Sequence, residues 1–488
     1  MKNSCTIDLH AIARYAMERY HFYPAFPESV IREVGTLPEN MPLQEGGNVR
    51  DLRSVLWSSI DNADSLDLDQ LEYCELGPSE EIQVKIAIAD VDLYVYKGSH
   101  TDRHAAHNGT SVYTGIQTFP LFPDRLSKNI SSLLPGMDRI AIVIEYTVLP
   151  NGYVRCGNIY QALVSNKAQL IYEEVGDWLE GTAEIPRTVK DVPGLEKQLR
   201  LQIVASQRLK TYRASQGALE LDTIEAQAIV EEGKVRDLVV QRKNLERYLI
   251  EDFMISANSC MVSTLKNAGI SMIQRVVRTP KNWERIVETA AMYGEILPSV
   301  PNAKALSKFL ERRKIADPER FPDLSLTIVK LLGPGEYMTL EPGKSPYGHF
   351  SLAVIDYTHS TAPNRRYVDV INQRLLKSIL RGEQNPYTVE ELTEASAWLT
   401  DRDKSAQKVE RFTRKAAAAV LLKDRVGEVF DALVTGASEK GTYVRLLKPP
   451  AEGRVMKGEQ GLLVGQKVRV RLIRTDPCNG YIDFVSIG

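Results

Sequence analysis

SSIDNADSLDLDQLE, residues 58–72, puts Asp61, Asp64, Asp67, Asp69 and Glu72 into fifteen residues with only neutral side chains between them. Five like charges this close repel one another. Either water solvates them on a surface loop, or a cation draws them together. Asp67 and Asp69 are two apart and so do not share a helix face. In a loop or extended segment both can converge on one hard ion. Such an ion takes oxygen ligands, usually one or two carboxylates plus substrate phosphate. On its own, an acidic stretch is more often a solvated face or a helix N-cap than a metal site.

Just downstream, Ile82, Val84, Ile86 and Ile88 alternate with Gln83, Lys85 and two alanines, which is strand periodicity. Arg139–Val148 is a second β-rich run, turned by Pro150-Asn151-Gly152 into Tyr153–Cys156. Gly233 marks a similar turn between Ala228–Val230 and Val235–Val240. Helical patterns follow near 188–214, 242–268 and 281–294. Strands grouped with helices, without strict alternation, predict an α+β domain. Upstream, residues 8–23 form an amphipathic pattern with Leu9, Ile12, Ala16 and Tyr20 on one stripe, and a second short helix starts near Pro27-Glu28. This small helical unit is either a docking cap or a helix-turn-helix module. Its lack of unusual basicity favours the cap. Gln44–Asn48 reads as the linker out of it.

The chain of 488 residues is too long for one ordinary core, and its 43% apolar and 25% charged residues are those of a soluble globular protein. With 61 Lys and Arg against 63 Asp and Glu, a nucleic-acid partner must be met by local basic patches. The cysteines, Cys5, Cys74, Cys156, Cys260 and Cys478, are widely spaced and form no CxxC. That pattern predicts reduced thiols with no disulfide framework and no thiolate zinc site. The first residues carry charges throughout and resemble no signal peptide. No apolar run is long enough to span a membrane, so a cytoplasmic protein is expected. His100, His104 and His107 fall on one probable helix. Without a completing carboxylate or cysteine they are expected to be solvent-exposed.

Tyr357–Asp369, YTHSTAPNRRYVD, is the second dense stretch. It sets Arg365 and Arg366 beside a proline turn, ahead of a helix through Arg374, Lys377 and Arg381. A planar guanidinium suits two oxygens of a phosphate or carboxylate. A surface arginine pair at a helix start is the plainer reading. From about Val389 to Arg425 a helical pattern clusters Arg402, Lys404, Lys408, Arg411, Arg414 and Lys415, either on a solvated face or facing phosphate. From Arg425 to the end there are ten Lys and Arg and seven Asp and Glu, a net charge of +3. Short β-runs recur there at Val426–Leu433, Gly441–Leu447, Gln460–Leu463, Lys467–Ile473 and Gly480–Val485. Five short strands in a small basic unit predict an OB-fold β-barrel. Phe430, Tyr443, Tyr481 and Phe484 are candidate stacking platforms, of which alternation lets two or three face outward.

These stretches resemble the ribonuclease II/R family of 3′→5′ exoribonucleases over roughly residues 48–488. Asp61, Asp67 and Asp69 follow the family's D-x5-D-x-D-D pattern, and IAIADVDLYV resembles the strand after it. Tyr113 aligns with the aromatic that stacks on the 3′-terminal base, and LIEDFMISAN resembles a characteristic family helix. YTHSTAPNRRYVD is similar to YTHxTSPIRRYxD, which matches Arg365 to the catalytic arginine. Glu410 in VERF matches a glutamate near the RNA. The last segment resembles an S-one type RNA-binding domain. The architecture implied is α+β and multidomain: a helical N-terminal unit (1–47), an RNB-type catalytic domain (48–385), its helical extension (386–424) and the barrel (425–488).

The resemblance implies a processive hydrolase that degrades single-stranded RNA to nucleoside 5′-monophosphates and a short end product. Asp61, Asp67, Asp69 and Gln70 would hold Mg2+, with Mn2+ as the alternative ion. Asp67, Asp69 and Arg365 would carry catalysis. Tyr113, Arg365, Arg366, Glu410 and Tyr443 would contact RNA, and a monomer is expected. Two features depart from the family. Position 70 is Gln70 where the pattern has aspartate, and 48 residues cannot hold the usual pair of N-terminal cold-shock barrels. Gln70 opens the alternative of an RNA-binding protein on the same scaffold with weakened or lost catalysis. A magnesium-dependent phosphohydrolase of small nucleotides is the rival outside RNA biology.

Overall fold

The computed structural model describes residues 8–39, 49–222, 225–231, 234–241, 245–438 and 441–487. Its centre is a mixed seven-stranded sheet in the order Arg50–Asp51, Val154–Ser165, Asp138–Val148, Ile82–Ala89, Gln70–Leu76, Ser58–Asp61, Ala168–Ile171. The inner strands are antiparallel. Both edges are parallel pairs, Arg50↔Ala162 and Ser58↔Ala168. The alternation in 82–89 has its expected outcome: Ile82, Val84, Ile86 and Ile88 are fully buried, while Gln83 is exposed. The hairpin through residues 150–152 forms as read, and Gly152 takes the left-handed φ of +82° that the turn requires. Helices Leu195–Gln216 and Leu245–Asn267 pack on this sheet and share its core.

At the N-terminus, helices Leu9–Arg19 and Glu28–Gly35 form with Leu9, Ile12 and Ala16 buried as the stripe predicts. Asp8 caps the first helix by accepting from the backbone N–H of His10 and Ala11. That apolar face closes on Val409 and Phe412 of the 33-residue helix Val389–Leu421, which is the packing of a docked cap. The long helix starts with a full capping box between Thr388 and Glu391. Its far end lends Ala417, Ala418 and Ala419 to the core of a closed five-stranded barrel.

The architecture is therefore α+β with a C-terminal barrel, and four local readings need correction. The barrel's third strand is Glu452–Lys457, whereas Gln460–Leu463 is turn and coil; Val426–Leu433 likewise starts later, at Val429. Phe430 and Phe484 fill the barrel, leaving Tyr481 exposed and Tyr443 half-buried. Cys156 and Cys260 are joined as a disulfide with Cα atoms 5.3 Å apart, contrary to the reduced-thiol reading. The sheet packs the strand Val154–Ser165 against the helix Leu245–Asn267 and so joins positions 104 residues apart, a pairing that spacing cannot reveal. The histidine helix His100–Asn108 is only partly solvated: His100 is exposed as expected, but His104 is buried against Phe26, and half-buried His107 stacks on Tyr23 at 3.8 Å. The packed N-terminal unit covers them. Burial lowers His104 to about 4. The Gln44–Asn48 linker, the Gly233 turn and Cys5 lie outside the described residues.

Candidate active site

Asp61 ends the strand Ser58–Asp61, and Asp69 immediately precedes Gln70–Leu76, so the acidic stretch is a loop strung between two neighbouring strands. Asp61 Oδ1 accepts from the Ser65 hydroxyl at 2.6 Å and from the Asn62 N–H at 2.8 Å. The Asp69 backbone carbonyl accepts from Ala89 N–H at 2.9 Å, which ties the loop's end to the central strand. Gln70 is buried and pairs with Ile88.

The second dense stretch meets this loop across the fold. Its polar residues build the turn itself. Thr358 Oγ1 donates to the Ile273 carbonyl, and the Ser360 N–H donates to Asn258 Oδ1. The Ala362 N–H donates to Asp369 Oδ1, and Arg366 places Nε and Nη2 on the same carboxylate at 2.9 and 2.8 Å. That scaffold aims residues 364 and 365 at Asp69. The Asn364 N–H donates to Asp69 Oδ1 at 2.9 Å, and Arg365 Nε to Oδ2 at 3.2 Å. Asp69 is 3% exposed at its side chain, while Arg365 is 46% exposed, so the guanidinium keeps N–H groups open to the cleft.

The carboxylates are electrostatically crowded. Burial pushes Asp69 up to about 7, with Asp67 adding to the rise and Arg365 opposing it. Asp67 is also raised, first by burial and then by Asp61, against Arg365 and Lys128. Tyr113 belongs to the same field: burial raises its phenol, Asp67 and Asp69 reinforce this, and Arg365 opposes. The Tyr113 N–H donates to Glu410 Oε1 at 3.4 Å. A cleft of about 280 Å³ is lined by Tyr113, Tyr337, His359, Arg365, Asp403 and Glu410 among others. Gly109, at φ +72°, forms part of its wall, and a Cβ there would lie 2.9 Å from Arg402 Cβ.

The fold thus brings together Asp61, Asp67, Asp69, Arg365, Tyr113 and Glu410. Arg366 lines the same cleft with its guanidinium held by Asp369. Tyr443 sits elsewhere, on the barrel, with Lys415 Nζ 5.9 Å from its ring centre. Arg374 and Lys377, which follow the arginine pair, are buried structural ions. Arg374 pairs with Asp92 and Asp102 at 2.7 and 2.8 Å, and Lys377 with Asp90 at 2.7 Å. Sequence reading missed this, since Asp90 and Asp92 within the strand motif IAIADVDLYV were the available sign. It also missed Asn364, whose contribution is a backbone N–H and so leaves no trace in residue type.

The donor set fits a hard divalent cation. Its charged members are carboxylates that repel one another, and Arg365, with Lys128 acting on Asp67, offsets them. Among the described residues no three His, Cys, Asp or Glu side chains already stand as a closed ligand group. An ion that keeps several waters and shares substrate phosphate needs only one or two carboxylates from the protein.

The RNB domain matches residues 49–382, and the RNase II-type exonuclease C-terminal S1 domain matches residues 428–486. Ribonuclease R of Aquifex aeolicus is 31% identical over 442 residues, which cover 90% of this chain and 62% of that relative. The chain therefore spans under two thirds of that relative's length. Mycoplasma genitalium RNase R, solved in complex with ribose methylated single-stranded RNA, has a similar fold: the TM-score is 0.89 at 21% identity, covering 98% of this chain and 78% of that one. Yeast Ssd1, a pseudonuclease, shares the fold at a TM-score of 0.71 and 17% identity, covering 96% and 57%. No helix among the described residues is long and apolar enough to cross a membrane. With the RNB match extending over more than half of its length, the chain belongs to the RNB-domain family.

Proposed function

We propose that this chain is a divalent-metal-dependent, processive 3′→5′ exoribonuclease acting on single-stranded RNA and releasing nucleoside 5′-monophosphates. The observation that carries the reading is the Asp69–Arg365 contact, whose guanidinium lines a cleft together with Tyr113 and Glu410. In this reading Asp61, Asp67, Asp69 and Gln70 hold magnesium, which when bound supplies charge neutralisation and water activation. Arg365 already has one N–H fixed by Asp69, so its remaining donors are oriented before the scissile phosphate arrives. Preorganised donors of this kind act on the charge that develops in the transition state. The Tyr113 ring stacks on the terminal base. Glu410, which accepts from the Tyr113 backbone, steadies that platform and presents an acceptor towards the terminal ribose. Stacking is indifferent to base identity, which suits degradation without sequence preference. Acceptors beside the ribose favour RNA over DNA.

The basic barrel extends the RNA path. Lys467, Arg469 and Arg471 alternate with buried Val468, Val470 and Leu472, so three cations line the outside of one strand. The relatives called Ribonuclease R and the RNA-bound neighbour support RNA as the substrate.

Gln70 favours one second reading, an RNA-binding protein that has lost turnover, and Ssd1 shows that the fold occurs in a pseudonuclease. Incubation of the purified protein with 5′-labelled poly(A) and magnesium separates the two. A ladder that shortens to small oligomers is the expected result. A stable complex with no shortening would replace the enzyme by the binder, and nucleotide hydrolysis without either would point to a small-molecule phosphohydrolase.

A further inference from the structure

Glu72 closes the acidic stretch, yet no contact described above uses it. Its side chain is fully buried, and neither carboxyl oxygen has a hydrogen-bond partner. Ser58 stands directly opposite on the neighbouring strand, equally buried, and its Oγ is also unpartnered. Directly opposed residues of an antiparallel pair lie on the same face, with Cβ atoms about 5 Å apart. Two dry, unbonded polar groups facing each other are costly, and buried carboxylates persist where they are paired or coordinate a metal.

The position of Glu72 bears on the departure at residue 70. Gln70 and Glu72 are two apart on one strand, so the pleat puts both on one face. Asp61 ends the partner strand and acts on Glu72 through its charge, and Tyr172 senses both carboxylates. Arg365 acts on both Asp67 and Asp69, and Lys128 on Asp67. The hydrogen bonds to Asp61, in contrast, come from the neutral donors Ser65 and Asn62.

We propose that Glu72 is an additional ligand of the divalent cation and supplies, two residues along the strand, the carboxylate that position 70 lacks. Gln70 and Glu72 then present their oxygens from one face of the strand, with Asp61 at the end of the partner strand, and the Ser58 hydroxyl faces the Glu72 carboxyl from across the ladder. The inference rests on the metal-dependent reading above. It explains why a fully buried glutamate occupies a strand whose neighbours, Leu71 and Cys74, are also fully buried.

Binding of Mn2+ alone to the full chain, without RNA, tests this by loss of the free-ion paramagnetic resonance signal. Thermal unfolding in chelator serves as the check on folding. Glu72→Gln should weaken Mn2+ binding by about tenfold or more, the scale on which a supporting metal residue acts. Adding Gln70→Asp to that variant should recover most of the loss. Should Glu72→Gln fail to fold, Glu72→Met, close in volume and uncharged, makes the same comparison. If Glu72→Gln binds Mn2+ as tightly as the unmodified chain while Asp61→Asn binds it weakly, the metal reading survives and the role of Glu72 is overturned. If the unmodified chain and Asp61→Asn are alike in failing to bind Mn2+, both readings fall.

Discussion

Asp69 and Arg365 lie 296 residues apart in the chain, and Asp69 Oδ2 sits 3.2 Å from Arg365 Nε. The carboxylate is buried and the guanidinium is half-exposed. One partner is thus anchored by the fold, and the other projects from that anchor into the cleft.

Asp69→Asn keeps the shape of the site and removes its charge. Turnover on single-stranded RNA should be lost, while binding measured by filter retention or anisotropy stays within a few-fold of the unmodified chain. The Asn364 N–H still finds an oxygen acceptor. Normal turnover in this variant would end the assignment.

Arg365→Ala removes the donor that Asp69 positions. Loss of one preorganised donor costs about 10²–10³ in rate. Single-turnover cleavage should fall by that factor, with a much smaller change in RNA affinity. A defect confined to affinity would make Arg365 a binding residue only.

Tyr113→Ala removes the proposed platform for the terminal base. Stacking contributes about 1–3 kcal/mol per base. Short oligomers then lose a large share of their hold and dissociate sooner. The final product on a sequencing gel should therefore be longer than that of the unmodified chain, and an unchanged end product would place the platform elsewhere.

The barrel strand Lys467–Asp476 carries exposed Lys467, Arg469 and Arg471. Each phosphate contact on single strands contributes about 0.7 to the slope of log affinity against log salt. Changing all three to Gln should weaken RNA binding and flatten that slope by up to about 2. An unchanged slope would show that this face of the barrel does not meet phosphate.

Three histidines, His104 buried and His349 and His359 half-buried, make stability depend on acid. Burial lowers His104 and His349 to about 4 from 6.5, and His359 falls well below 6.5 for the same reason. Between those values the unfolded chain binds protons that the folded chain refuses, so stability falls as pH falls. The contribution is complete above about 6.5 and is lost on the way to about 4. His104→Phe keeps an aromatic ring against Phe26 and does not titrate. Its unfolding temperature should decline less steeply than that of the unmodified chain between pH 6.5 and 4.5, and parallel declines would show that His104 has no part in the acid response.

Much of the architecture was legible from local pattern. Strand 82–89, the hairpin after Val148, the helix stripe at Leu9, Ile12 and Ala16, and most barrel strands follow from which near neighbours are apolar. The barrel failed at Gln460–Leu463 because short β-prone runs occur in turns as well as in strands. The candidate site was legible as two separate motifs, since each of them is dense in unusual residues.

By itself the sequence determined that an acidic loop, an arginine turn, a long helix with a basic second half and a barrel occur in that order, because residue type and period are properties of adjacent positions. Only the tertiary structure decided that Asn364 and Arg365 reach Asp69, that Arg374 and Lys377 are buried counter-ions, that Cys156 meets Cys260, and that Glu72 is left dry beside Ser58. Those outcomes depend on how the sheet and its helices stack, which brings groups tens to hundreds of residues apart within bonding distance and withdraws charges from water that a linear reading leaves solvated.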